Sequence, residues 1–436
     1  MLKHKILFIV MALASSYAGA FAQNKPEVAV HGFVRSFYTT DTRLSKSGTA
    51  ELYYYVPMDN KFNSSGDDLN AVPTSKWSSL TSRLWVDSFW KSGDLTVKGK
   101  IEADFYSGLT GVTGTATFRL RQAYFDMLFK GYSLRFGQAW HPMAADMPDC
   151  IALEIAVPFG PFSRTPQVAA NLSLGDNWSI AASLLWQMQY TSAGPEGASA
   201  NYIKYSGVPE SYLGVNYKNG GFLGRIGADV LTIKPRYKGK VDGVEKLVSD
   251  NLTTVSGFVY LQYKKGLFSA KLKSTLAQAG EHLNMLGGYG ISAKCDAPGE
   301  DGHYEYTPTL TSSTWASFVY GKATKFSFLF GYAKCFGTLE PLLETAPGSG
   351  LVDAASNYLA KNTYSNINST YRVAPCLSQS IGPIVIAFEY TYSAAQYGDY
   401  KTTETLSQCV GTNGLARENL HWVGNHRFQL MAKYTF

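Results

Sequence analysis

The sequence predicts an all-β protein, a closed antiparallel transmembrane β-barrel of about sixteen strands with short turns at one end and long loops at the other. Three observations carry this expectation. Segments that alternate polar and apolar residues recur from Val28 onward, and a period of two marks a strand with one wet and one apolar face. The connections between these segments alternate short and long. The last segment puts Arg427, Gln429 and Lys433 on one face, Phe428, Leu430, Tyr434 and Phe436 on the other, and stops on that aromatic residue.

Composition agrees. The 436 residues include 29 Tyr, 24 Phe and 41 Gly, and the mean hydropathy of −0.11 is too polar for a helical membrane protein. Polar residues in number beside a heavy aromatic load suit a barrel with a hydrated interior and aromatic girdles; an array of secreted β-sandwiches is the other architecture this mixture allows.

At the amino end, Lys3 and Lys5 precede an apolar run, Ile6–Ala14, and Ala20-Phe21-Ala22 has the form of a processing site. This pattern predicts a signal peptide over residues 1–22 and a single barrel domain over 23–436. No apolar run approaches the ~20 residues of a spanning helix. The net charge is +6, and loss of the two leader lysines leaves 37 basic against 33 acidic residues, or +4. With no basic run, this balance excludes a nucleic-acid partner.

Turn chemistry marks seven tight connections: Lys91–Asp94, Lys130–Tyr132, Gly175–Asn177, Lys218–Gly221, Lys264–Gly266, Gly321–Thr324 and Ser380–Pro383. Gly, Asn and Asp there supply the backbone angles that hairpins need. Eight longer connections fall near 41–77, 107–114, 141–165, 191–209, 234–250, 281–310, 338–365 and 396–421, which makes sixteen strands. An even number with this asymmetry of loops is the pattern of an outer-membrane barrel in contact with lipid and lipopolysaccharide, and sixteen strands are wide enough for an aqueous channel.

The charged faces of the early strands set the interior. Arg83 and Asp87 share a face, as do Lys98, Lys100, Glu102 and Asp104, and then Arg119 and Arg121. Arg or Lys facing lipid costs ~2–4 kcal/mol at the midplane, so these faces line the lumen. Pairing through the turns is expected to set Arg83 near Glu102, Asp87 near Lys98, Glu102 near Arg119 and Lys100 near Arg121, with Arg35 and Arg427 on the same wall after closure. Such a basic strip would select anions; the bland alternative is a neutral ladder that hydrates the wall.

Segment 141–165 carries Asp146, Asp149 and Glu154 among Met143, Met147, Ile151, Leu153, Ile155, Phe159 and Phe162, with Arg164 near its end. A long loop with an apolar side needs a dry surface, so it is expected to fold into the lumen and narrow it, its acids towards the Arg strip. An outer loop packed on other loops or on another protomer is the alternative. Trp140, Trp178 and Trp422 read as girdle anchors.

Four strings strengthen the architecture: Leu80-Thr-Ser-Arg-Leu84, Lys100-Ile-Glu-Ala-Asp-Phe105, Arg119-Leu-Arg-Gln-Ala-Tyr124 and Phe136-Gly-Gln-Ala-Trp140. They are similar to strings in DcaP-like porins, and sixteen strands with an infolded loop after the fifth resemble the trimeric general porins. The likeness centres on residues 80–166. It implies a homotrimer passing small anionic solutes such as dicarboxylates, with Arg83, Glu102, Arg119, Arg121, Asp146 and Asp149 lining the pore. DcaP-like proteins often carry a helical extension before the barrel; here about six residues separate Gln23 from the first strand.

Catalysis finds no support in the sequence. Its seven histidines fall in no HExxH pattern, CxxC and G-x-S-x-G are absent, and no cofactor or metal is called for. Five scattered cysteines read as unpaired, with a Cys335–Cys376 bridge open if their strands are neighbours. The expected function is passive diffusion of small hydrophilic solutes across the bacterial outer membrane with a weak anion preference. The alternatives are a substrate-specific channel for small carboxylates and a barrel whose outer loops bind or adhere.

Overall fold

The computed structural model describes residues 25–48, 51–107, 115–349, 352–398 and 412–436. The expected signal peptide and Cys409 lie outside the described residues. Sixteen strands form one barrel. The first eight are β1 (Glu27–Asp41), β2 (Arg83–Ser92, preceded by a separate piece at Thr74–Ser78), β3 (Leu95–Phe105), β4 (Phe118–Phe129), β5 (Tyr132–Trp140), β6 (Arg164–Leu174), β7 (Trp178–Leu185) and β8 (Glu210–Asn219). They continue as β9 (Phe222–Ile233), β10 (Leu252–Lys265), β11 (Phe268–Gln278), β12 (Tyr304–Gly321), β13 (Thr324–Thr338), β14 (Ile367–Ile381), β15 (Ile384–Tyr397) and β16 (His421–Thr435). Each pairs antiparallel with its neighbour, and β16 returns to β1 from Phe33↔Thr435 to Asp41↔Arg427.

The distribution of polarity is that of a protein in lipid. Ile101, Leu213, Ile226, Leu377, Ile386 and Phe428 are exposed on the outer wall, while Lys273, Thr275, Thr311, Ser313, Arg372 and Glu389 are buried inside. A closed ladder leaves no unpaired edge, the condition under which strands cross a bilayer. Trp178 and Trp422 are exposed, whereas Trp140 packs edge-on to Phe162 and beneath Arg164. Trp140 is therefore an interior residue and not the girdle anchor expected.

The register differs from the expected one by two residues. The turn after β2 contains only Gly93 and Asp94, with Gly93 at φ +55°, so Ser92 pairs with Leu95, Asp87 with Lys100 and Arg83 with Asp104. A bulge at Glu102/Ala103 then leaves Arg121 without a directly opposite residue, and Arg119 faces Asp104. A four-residue turn would have given the expected pairs; the tighter turn shifts every partner along the strand.

Two long loops lie inside the wall. The loop between β1 and β2 contains a small hairpin, Ser45–Gly48 with Tyr53–Pro57, whose Tyr53, Tyr54, Tyr55 and Val56 are buried. The loop between β5 and β6 packs against it, with Phe162 edge-on to Tyr53. Phe159 of this loop lies on β13 at Gly331, where a Cβ would stand 2.4 Å from the ring, so only glycine admits it. Cys150, Cys295, Cys335 and Cys376 are free thiols, although β13 and β14 are neighbours.

Candidate functional site

Three of the early strands place a charged network on the inner wall. Arg119 grips Asp104 with two bonds, Nε–Oδ1 3.0 Å and Nη2–Oδ2 2.9 Å, and lies over the Tyr106 ring. Arg121 bridges the two acids, with Nε 2.6 Å from Glu102 Oε1 and Nη1 2.8 Å from Asp104 Oδ2. Arg83 reaches diagonally to Glu102 at 3.4 Å, and Lys100 meets Asp87 at 2.7 Å. The expected pairs Asp87–Lys98, Glu102–Arg119 and Lys100–Arg121 are thus replaced, while Arg83–Glu102 survives as a diagonal contact. Lys98 stays exposed opposite Asp126, which is taken by Arg135 at 2.7 Å. Charge-assisted forks of this geometry are the strong class of polar contact.

The acids of the loop after β5 form no ion pair with this network among the described residues, although Asp149 lines one cavity with Arg83 and Arg121 and Glu154 reaches Arg427 of the expected basic wall. Asp146 binds Arg225 of β9 at 2.8 Å, Asp149 binds Lys271 of β11 at 2.8 Å, and Glu154 lies 3.6 Å from both Arg372 of β14 and Arg427 of β16. The loop crosses the barrel interior, so its carboxylates find cations on the later strands. Its backbone is fixed there too: Asp149 N–H donates to Ser317 Oγ (3.1 Å) and Ile151 N–H to Glu389 Oε2 (2.8 Å). Arg164 belongs to the first position of β6 rather than to the loop, because its pairing with Trp140 starts the strand. Arg427 also pairs with Asp41 at 3.2 Å.

Sequence reasoning missed two contributors. Arg372, fully buried, donates from Nη2 to the carbonyls of Tyr54 (3.2 Å) and Tyr55 (2.8 Å) and from Nε to Ser393 Oγ (3.0 Å). The run Leu52–Val56 is apolar within a polar stretch, the same signal that pointed to the loop after β5.

Beside this crossing loop lies a cavity of about 420 Å³. Arg35, Arg83, Arg121, Lys325 and Lys433 line it, with Asp149 as the one carboxylate among the lining residues. Arg35 donates to Thr81 Oγ1 at 2.6 Å and rests between the Phe33 and Phe37 rings. Arg35, Lys325 and Lys433 form no ion pair among the described residues, whereas Asp149 is held by Lys271. The result is a small chamber in which basic side chains without an ion-pair partner among the described residues stand beside the apolar Ile151, Leu153, Ile155 and Phe162 of the crossing loop.

Fold and interior together define an outer-membrane β-barrel of the porin architecture. No family model matches the chain, and no curated protein matches its sequence. Among solved structures it is similar to the outer membrane channel DcaP of Acinetobacter baumannii, with a TM-score of 0.63 and 17% identity over 96% of this chain and 100% of that one. It is also similar to an anion-selective porin from Comamonas acidovorans, with a TM-score of 0.53 and 10% identity over 94% of this chain and 100% of that one. OmpF of Salmonella typhi gives 0.50 and 11%, over 94% and 97% of the two chains. At these identities the likeness is one of fold.

Proposed function

We propose that the chain is a passive channel for small hydrophilic solutes with a preference for anions, and that it assembles as a homotrimer. The observation that carries the anion preference is the chamber wall, where Arg35, Lys325 and Lys433 have no carboxylate partner among the described residues. Unbalanced charge in a narrow, low-dielectric space concentrates counter-ions. The loop after β5 narrows the path in this reading, through Asp146, Asp149 and Glu154 and the side chains they hold. For the trimer, the outer wall over β2–β5 offers a shallow depression of about 590 Å³, where the small residues Ser88, Gly99, Ala123 and Gly137 are set among Val86, Ile101, Phe125 and Phe136. The amino-terminal 22 residues act as the export signal in this reading.

A second reading, a channel specific for small carboxylates, is favoured by the interior packing of Tyr53–Val56 and of the loop after β5, which leaves a chamber of about 420 Å³. Planar-bilayer recording under a salt gradient separates the two. A reversal potential favouring anions that collapses in Arg35→Ala/Lys433→Ala supports the channel; equal conductance for chloride and a small dicarboxylate favours the general form, and blockade of chloride current by the dicarboxylate favours the specific one. Channels without selectivity would refute the role of the wall.

A further inference from the structure

At the far end of the crossing loop from the chamber residues, four chemistry-bearing side chains meet in the dry interior. His141 follows β5, Glu210 opens β8, Asp229 lies on β9, and His282 sits in the turn Gly280–Leu283 after β11; none is more than 1% exposed. His141 Nε2 stands 3.1 Å from Glu210 Oε1 and 3.8 Å from Asp229 Oδ1, and His282 Nε2 stands 3.8 Å from Glu210 Oε1. The ligating atoms of His141, Glu210 and Asp229 all fall within 4.8 Å of one another.

The hydrogen bonds around the cluster are incomplete in a particular way. Glu210 Oε2, Asp229 Oδ1 and His282 Nε2 have no partner. His282 Nδ1 lies 2.7 Å from the Ala279 carbonyl and must donate to it, so Nε2 is a lone pair. His282 Nε2 can only accept, and so can each carboxylate unless it holds a proton, so three buried acceptors lie here where few donors are available. The nearby ammonium of Lys273 is engaged with the Met143 carbonyl and the face of Phe258. Buried acceptors without donors are costly, and two carboxylates together need a positive charge.

We propose that this cluster is a binding site for a divalent cation of the zinc class, with the carboxylates of Glu210 and Asp229 and the Nε2 atoms of His282 and His141 as ligands. Mixed imidazole and carboxylate donors suit such an ion. Tetrahedral bonds of about 2.0–2.1 Å place ligand atoms about 3.3 Å apart. His141, Glu210 and Asp229 form the compact part of the site, with His141 at 3.1 and 3.8 Å from the two carboxylates. His282 is placed by its 3.8 Å approach to Glu210 and must draw in on binding. His282 already has the outer arrangement of a metal-bound imidazole, its second nitrogen tied to a carbonyl. His141 has not: Met143 N–H donates to its Nδ1 at 3.1 Å, so the ring proton must move from Nε2 to Nδ1 and that contact must open before it ligates. Occupancy would tie the start of the crossing loop and the turn after β11 to strands β8 and β9.

Folded protein, stripped with a chelator, is to be titrated with Zn²⁺ by equilibrium dialysis. Cys295, His303 and Glu305 form a more exposed cluster that also attracts metal, so the titration uses the Cys295→Ala/His303→Ala background. One ion per chain is expected, with affinity at least about tenfold weaker in Glu210→Gln and in His141→Gln/His282→Gln. No binding would overturn the proposal and assign the cluster a shared proton; binding unchanged in both variants would overturn it equally. Should either variant fail to fold, X-ray absorption of the zinc-loaded parent decides: imidazole and oxygen scatterers uphold the site, and a shell without imidazole refutes it.

Discussion

Arg121 illustrates what a single residue does in this interior. It spans two acids, and both Glu102 and Asp104 are buried. Removing one partner of such a group leaves charge uncompensated in a dry place, which costs about 3–5 kcal/mol. Arg121→Ala is therefore expected to lower the unfolding midpoint of the folded barrel in detergent, and an unchanged midpoint would show that Arg83 and Arg119 suffice for the acids. Arg35 is the contrasting case: it has no carboxylate partner among the described residues, so Arg35→Ala is expected to alter selectivity with little loss of stability. The inward direction of these side chains was legible as alternation in the sequence. Their partners were not, because the length of the Gly93–Asp94 turn and the bulge at Glu102/Ala103 set the register, and either can shift every pair along the strand. Nor does a lysine announce which wall it will share: Lys325 and Lys433 gain their meaning only when strands remote in sequence line one chamber with Arg35.

Among the elements, the strands were readable one by one, because alternation and turn residues are local signals. The loops were readable only where their composition departed from that of a wet segment. The run of apolar residues between 143 and 162 marks one infolded loop, while the shorter Leu52–Val56 was hidden in a connection of otherwise polar character. The hairpin built on that run also carries a titratable reporter. Burial pushes the Lys46 ammonium down to about 8, with Asp59 opposing the shift in part. Between about 8 and the unperturbed value near 10.4 the unfolded chain holds more protons than the folded one. Stability therefore rises with pH through that window, and below it the cost of burying the charge is present in full. Thermal unfolding of the wild type and of Lys46→Met, compared from pH 7 to pH 10, tests this: the advantage of the methionine variant is expected to shrink as pH rises, and a constant gap would refute it.

At the scale of the whole molecule, sixteen strands and their closure follow from the count of turns, and a barrel of that size would be open if its loops stayed outside. The structure shows instead an interior occupied from two sides, with a chamber whose charge is not balanced locally. Such a field is screened over about 10 Å at 0.1 M salt and about 3 Å at 1 M. The anion preference is thus expected to fade as bath salt rises from 0.1 M to 1 M in bilayer recordings, whereas selectivity set by fit to one solute would persist. Arg372 adds a kinetic corollary. One guanidinium holds the carbonyls of Tyr54 and Tyr55 and lies 3.6 Å from Glu154, so the hairpin and the crossing loop share a contact through this side chain, in addition to the loop's own ties to Arg225 and Lys271. Displacing either one therefore disturbs a contact of the other. Current through a single barrel should then switch between two levels in concert, and Arg372→Met should break that unison into graded, independent steps.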